Sequence, residues 1–163
     1  MNSAIYSISV TVFVLIVGSI TAYGLSMFPY RGSGFASFAY FSTRIVPPQA
    51  LWLPFTIFFN NIGLGNSIIA VIAYLIMLVY PIQTLILKSI FDSFPRELID
   101  SALVDGCSRL GTLVRIVMPV TAQGIAAVAI MSFLGSWAIF MFPFLILNSN
   151  ELFPITVGIY EFV

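Results

Sequence analysis

Residues 95–119 read PRELIDSALVDGCSRLGTLVRIVMP and hold six of the twelve Asp, Glu, Lys and Arg residues of a 163-residue chain. Overall the chain is 60% hydrophobic and only 7% charged, with a mean hydropathy of +1.09. Soluble domains carry roughly a quarter charged residues, so this is the composition of a membrane protein whose polarity is gathered into one segment. The formal net charge of zero argues against nucleic acid or another strongly charged partner.

A helix needs about 20 mostly apolar residues to cross a bilayer. Outward from the quoted stretch, hydropathy predicts an all-α membrane protein in which 1–163 is a single transmembrane domain. Four spans are expected, at about 4–28, 35–59, 67–90 and 120–147, with a polar loop over 92–119. The first ends at Pro29-Tyr30-Arg31-Gly32. Its N-terminal run, MNSAIYSISVTVFVLIVGSITAYG, has neither the basic region nor the A-x-A site of a cleaved signal and reads as a true span. The second holds Arg44, Pro47, Pro48 and Pro54, and prolines in a helix interior remove donors and clash with the preceding turn, so a broken span is expected there. Pro81 predicts a kink in the third. Gly18 with Ala22 and Ser132 with Ser136 have the spacing that lets helices approach closely.

Lys and Arg near span ends stay cytoplasmic. Arg31, Lys88, Arg96, Arg109 and Arg115 fall on one side, whereas 60–66 and 148–163 hold no Lys or Arg. This places the N-terminus of the chain outside and residues 92–119 in the cytoplasm. Cys107 is the only cysteine and there is no histidine, so neither an internal disulfide nor a His/Cys metal cluster is expected.

Within the loop, Leu98, Ile99, Ala102 and Leu103 share one helical face, with Glu97, Asp100 and Ser101 opposite. Pro95 suits a first helical turn, and acidic Glu97 and Asp100 suit its positive end. Gly106 permits a sharp turn. Cys107, Leu110, Leu113, Val114 and Val117 then form a second apolar stripe up to Pro119, which opens the next span. The result is a helix, a bend and a helix. Periodicity leaves open whether the pair lies on the membrane surface or presents its polar face to a partner.

The spacing resembles the cytoplasmic signature of binding-protein-dependent ABC importer permeases: Glu-Ala-Ala, three residues, Gly, nine residues, Ile-x-Leu-Pro. Asp100-Ser101-Ala102, Gly106 and Ile116-Val117-Met118-Pro119 keep every interval, with Asp for Glu, Ser for Ala and Met for Leu. Pro95-Arg96-Glu97-Leu98, Asp105-Gly106-Cys107-Ser108-Arg109, Thr43-Arg44-Ile45-Val46-Pro47-Pro48 and Phe133-Leu134-Gly135-Ser136-Trp137 are similar to the carbohydrate branch, the group of the smaller maltose permease subunit. Two departures stand out: Ala138-Ile139 where the family often has Asn-Glu, and Gln123 where a proline is common.

The resemblance implies the transmembrane domain of a type I ABC importer, in a bacterial or archaeal inner membrane, multi-pass, with four of a typical six spans present. It implies a transport subunit rather than an enzyme, moving a sugar, polyol or glycerol phosphate by alternating access. Its partners would be an ABC ATPase dimer that carries ATP and Mg, a second homologous permease, an extracytoplasmic solute-binding protein and the lipid bilayer. Glu97, Asp100, Ser101, Ala102, Asp105, Gly106, Arg109 and Pro119 would form the ATPase-coupling loop.

Arg44 lies about ten residues into its stretch, roughly 15 Å deep if helical. An ionisable residue there marks a pathway or gate, or else bonds to carbonyls freed by Pro47 and Pro48. Gln49, Gln83, Asn60 and Asn61 are polar candidates of the same kind, and Trp52 and Trp137 either stack on a sugar or simply pack. The competing function, an ion-gradient-driven transporter or channel subunit, ordinarily buries carboxylates, and no Asp or Glu falls inside an expected span. A scaffold would leave Arg44 and the double proline unexplained. No G-x-x-x-x-G-K-[ST] loop is present, so any nucleotide site belongs to a partner.

Overall fold

Two runs without a charge or glycine-proline interruption strong enough to stop them become long helices. They are α1, Asn2–Met27, and α4, Ile68–Asp92, with peak mean hydropathies of 2.1 and 2.2. At 1.5 Å per residue each is about 37–39 Å long, more than a hydrocarbon core requires. The computed structural model describes residues 1–28 and 30–161; Pro29, Phe162 and Val163, on which parts of the first-span and C-terminal expectations fall, lie outside the described residues. A single π-turn, Val14–Gly18, interrupts α1. Ser67 caps α4 by accepting the Ile69 N–H at 3.1 Å, and α4 continues through Pro81 without a break.

The proline-rich stretch is broken as expected. Helix α2, Ser33–Ser42, ends before a turn, and α3, Pro48–Asn61, restarts with extended Pro47 (φ −63°, ψ 134°) ahead of Pro48 at its first position. The second proline sits where a missing N–H leaves no bond unmade. After α5, Arg96–Val104, comes α6, Arg109–Val120, followed by α7, Ala122–Trp137. α8, Met141–Ile146, a 3-10 turn at Asn150–Leu152 and α9, Ile155–Glu161, complete the order.

The expected helix over 120–147 is corrected in two places. Pro119 does not open the span: it lies in the last turn of α6, and α6 meets α7 at 87°. Pro119 cannot donate to the turn before it, and Thr121 turns the chain, its hydroxyl donating to the Val117 carbonyl at 2.7 Å. At the other end α7 stops at Trp137, and the chain restarts at α8 so that Pro143 falls in a first helical turn. Among the described residues two helices are therefore long and apolar enough to cross a membrane alone, and α6 with α7 makes a third span if the bent pair counts as one.

α1, α4 and α7 pack against one another around Tyr6, Val10, Val14, Leu75, Leu87 and Val128. Gly18 acts as its spacing suggests, since a Cβ there would lie 3.4 Å from Thr84 and Leu87 on α4, and Ala22 is buried. Ser132 and Ser136 are buried on α7. A stack of Tyr74 on Phe142, with centroids 3.8 Å apart, joins α4 to α8, and Phe55 and Phe59 of α3 flank it.

At the end of the bundle where α1 and α4 begin, loops are tied by side chains. Asn66, at φ +53°, donates to Ser149 Oγ at 2.8 Å, and its Oδ1 accepts the N–H groups of Asn148 (2.8 Å) and Ser149 (3.1 Å). Tyr6 donates to the Leu152 carbonyl at 2.7 Å, and Ser3 Oγ accepts the Ile155 N–H at 2.8 Å. Three bonds at about 1 kcal/mol each lead to an expected loss of about 2–3 kcal/mol in Asn66→Ala. Asn66→Asp, which keeps both acceptors, should lose less. Thermal unfolding of the full-length protein in detergent checks this, and equal midpoints for all three would show that the clamp carries nothing.

Candidate functional site

The opposite end of the bundle gathers the basic residues and the 92–119 segment. Helix α5 ends in a Schellman cap: the Cys107 N–H reaches the Ala102 carbonyl at 3.0 Å and the Gly106 N–H reaches Leu103 at 3.1 Å. Gly106 has φ +85°, the left-handed conformation that this cap demands. Two residues later Ser108 starts α6, its Oγ accepting the Gly111 N–H at 3.1 Å. A C-cap and an N-cap set almost back to back thus define the bend. Ser108 as cap was missed by the sequence reading, although a serine just before an apolar-periodic run is the usual signal.

Glu97, Asp100, Ser101, Asp105, Gly106 and Pro119 are exposed, whereas Ala102 is buried with Ile99 beneath α5. The Ser101 hydroxyl is occupied by the Glu97 carbonyl of its own helix at 2.7 Å. The outward face of α5 is therefore acidic. Two details differ from the expected apolar faces. Leu98 is 49% exposed, and of the expected stripe in α6 Leu113 and Val117 turn inward, while Leu110 and Val114 are 58% and 59% exposed. These are two neighbouring i, i+4 rows, and a helix packed on one side buries only one of them. Arg109 does not point along the acidic face; its guanidinium lies 4.4 Å over the Phe28 ring at the end of α1.

Behind α5 sits a junction that the sequence reading did not identify. Lys88 and Asp92 pair at 2.7 Å, the one ion pair among the described residues. Ser26 of α1 donates to the other Asp92 oxygen at 2.6 Å, and Arg96, the first residue of α5, donates to the Ser26 carbonyl at 3.4 Å. Lys88, Asp92, Ser26 and Arg96 line one cavity of about 380 Å³. The i, i+4 spacing of Lys88 and Asp92 was readable; Ser26, distant in sequence, was not.

Arg44 lies exposed in the turn between α2 and α3. With Pro48, Leu51, Phe55, Tyr74 and Met77 it walls a cavity of about 260 Å³, close to the middle of α4. The carbonyl of Pro48 is met by the Tyr74 hydroxyl at a long 3.5 Å rather than by the guanidinium. Gln49, Gln83 and Trp137 do not line this cavity. Gln49 is exposed; Gln83 is buried, with its Oε1 unpartnered; Trp137 stacks on Phe133 at 5.5 Å. Asn60 and Asn61 are exposed at the far end of α3, and Trp52 packs against the core.

Comparison with known proteins gives a consistent picture. The family model described as binding-protein-dependent transport system inner membrane component matches residues 4–161. The arabinooligosaccharides transport system permease protein AraQ of Halalkalibacterium halodurans is 31% identical over 97% of this chain and 56% of its own. The sulfoquinovosyl glycerol transport system permease protein SmoH of Agrobacterium fabrum is 28% identical over 98% of this chain and 57% of its own. The trehalose/maltose transport system permease protein MalG of Thermococcus litoralis is 27% identical over 97% and 57%. A chain from the crystal structure of a bacterial ABC transporter that imports the acidic polysaccharide alginate superposes with a TM-score of 0.84 at 20% identity, covering 98% of this chain and 56% of that one. The chain thus spans a little over half the length of the relatives it matches.

Proposed function

The chain belongs to the family of binding-protein-dependent transport system inner membrane components, and from that premise we propose that it lines half of a solute pathway in an ATP-driven importer. The observation that carries the reading is the bend at Gly106. A capped helix with Glu97, Asp100 and Asp105 exposed projects from the end of the bundle where Lys88, Arg96 and Arg109 collect. An exposed acidic helix pinned at both ends suits a rigid-body contact. Its partner would be an ATPase subunit, with α5 as the coupling helix and ATP and Mg held by the ATPase.

On this reading 92–119 is cytoplasmic and the N-terminus of the chain is outside. The broken α2–α3 stretch and α7 count as spans beside α1 and α4, making four. A second permease completes the pathway, and a binding protein delivers solute from outside, as alternating access requires. The transport systems named for the relatives handle oligosaccharides or a sugar-glycerol conjugate, which favours a carbohydrate solute, with the cavity at Arg44 on its route. An ion-gradient mechanism is disfavoured because the acids among the described residues lie in α5, in loops or at the ends of the other helices.

Purification of the full-length permease from its native membrane tests the proposal. An ATPase and a second permease are expected to copurify, with ATP hydrolysis stimulated by the solute-loaded binding protein. Recovery of the permease without an ATPase, in an extract where the ATPase is intact, would overturn it.

A further inference from the structure

We propose that the groove between α1 and α6 is a binding site for an anionic phospholipid, with an acyl chain in the groove and the phosphate at Arg109. Leu15, Ile16 and Ile20 of α1 face Leu110, Val114 and Met118 of α6 across a space of about 330 Å³. No charged side chain lines it, and Ser19 is the one polar residue in its lining, with its hydroxyl oxygen buried. The π-turns Val14–Gly18 and Leu113–Val117 each contribute to the two walls. A wider π-turn shifts the side chains that follow it relative to a regular helix.

The groove does not end blindly. Ile20 also lines a second space of about 380 Å³ that continues along α1 past Gly24 to Phe28, Tyr30 and Arg109. The apolar groove therefore opens, at Ile20, onto a shallower surface depression with Thr21 and Tyr30 in its lining, and that depression ends at a cation. No carboxylate lines either space, and Arg109 has no ion-pair partner among the described residues. Phe28 holds the guanidinium by its ring face, leaving its N–H groups directed elsewhere. Exposed Arg31 follows Tyr30 and adds a second positive charge at the same end.

That combination, an apolar groove opening onto a depression with an unneutralised guanidinium, matches an amphiphile with an anionic head. Inorganic phosphate would leave the groove empty. An extended peptide would bury backbone N–H and C=O groups against the apolar walls of the groove, an unfavourable exchange. Basic pockets at the cytoplasmic ends of membrane helices are known to hold anionic lipid headgroups. The proposal is independent of the transport reading, since it needs only the charged end of the bundle to lie at a lipid headgroup layer.

The full-length permease in its native complex, reconstituted into nanodiscs of equal parts phosphatidylglycerol and phosphatidylcholine and released for native mass spectrometry, supplies the test. Retained phosphatidylglycerol is expected to exceed phosphatidylcholine. Arg109→Gln should lower that preference about fivefold, the fold-change that about 1 kcal/mol per basic residue corresponds to, and Arg109→Lys should preserve most of it. Val114→Trp, which fills the groove from an exposed position, should displace lipids of both kinds. Equal retention of the two lipids, or an unchanged preference in Arg109→Gln, would overturn the proposal. So would a photocrosslinker at position 114 that captures a protein segment instead of lipid in native membranes.

Discussion

Gly106→Val is expected to abolish most solute uptake while the full-length permease still inserts and assembles. A left-handed backbone costs an L-residue about 1–2 kcal/mol, and a β-branched side chain suits it worse still. Nothing lies within 4 Å of where a Cβ would stand, so the penalty is backbone strain alone, with no clash. A cost of that size depletes the native bend roughly tenfold and releases the Cys107 and Gly106 N–H groups from the Schellman cap. Ile99 and Ala102 still hold α5 on the bundle, so the loss falls on the angle between α5 and α6. Asparagine tolerates the same conformation, so Gly106→Asn should retain uptake close to the parent. The measurement is uptake and ATP hydrolysis side by side in proteoliposomes. Full uptake in the valine variant would sink the coupling role of the bend, and equal loss in valine and asparagine variants would show that the backbone angle is not the cause.

Asp92→Ala carries the second large expectation. One carboxylate accepts from Lys88 and Ser26, and Ser26 in turn receives Arg96 from α5. Removing it severs the polar tie between α1 and α4 beside the start of α5 and leaves Arg96 on a Ser26 carbonyl that is no longer braced by α4. Asp92 is half exposed, so the stability change should stay near 1–2 kcal/mol. The functional change should be larger, with ATP hydrolysed per solute imported rising on the order of tenfold as slack enters the connection. Asp92→Asn keeps an acceptor for Ser26 but no charge for Lys88, and should fall between parent and alanine. An unchanged ratio of hydrolysis to uptake across the three proteins would exclude the junction from force transmission.

The parts legible in the sequence were those set by local chemistry. Pro95, Gly106 and the spacing between them announced a helix and a turn, and Pro47-Pro48 announced a broken span. What escaped depended on tertiary placement. Hydropathy treats an apolar residue alike whether it continues a helix or sits in a break between two, so Val120–Leu147 read as one span where α7 stops at Trp137 and the chain restarts at α8. Pro119 and Pro143 were visible, but which turn of which helix each would occupy was not. Arg109 was grouped with its acidic neighbours by sequence distance, whereas its side chain folds back onto Phe28, some eighty residues earlier. The Ser26–Asp92 bond had no sequence signal, because neither residue is unusual where it stands.

The Asn66 clamp and the Tyr6 and Ser3 bonds staple one end of the bundle, whereas α5 joins the other end through Arg96 and a small apolar contact. A small tilt of the bundle about the stapled end would therefore be enlarged at the other. With α4 about 37 Å long, a tilt of about three degrees at the stapled end displaces the far end by about 2 Å. Geometric gain of this kind lets a rotation too small to disturb the core shift the basic rim of the bundle, and it runs equally well in reverse.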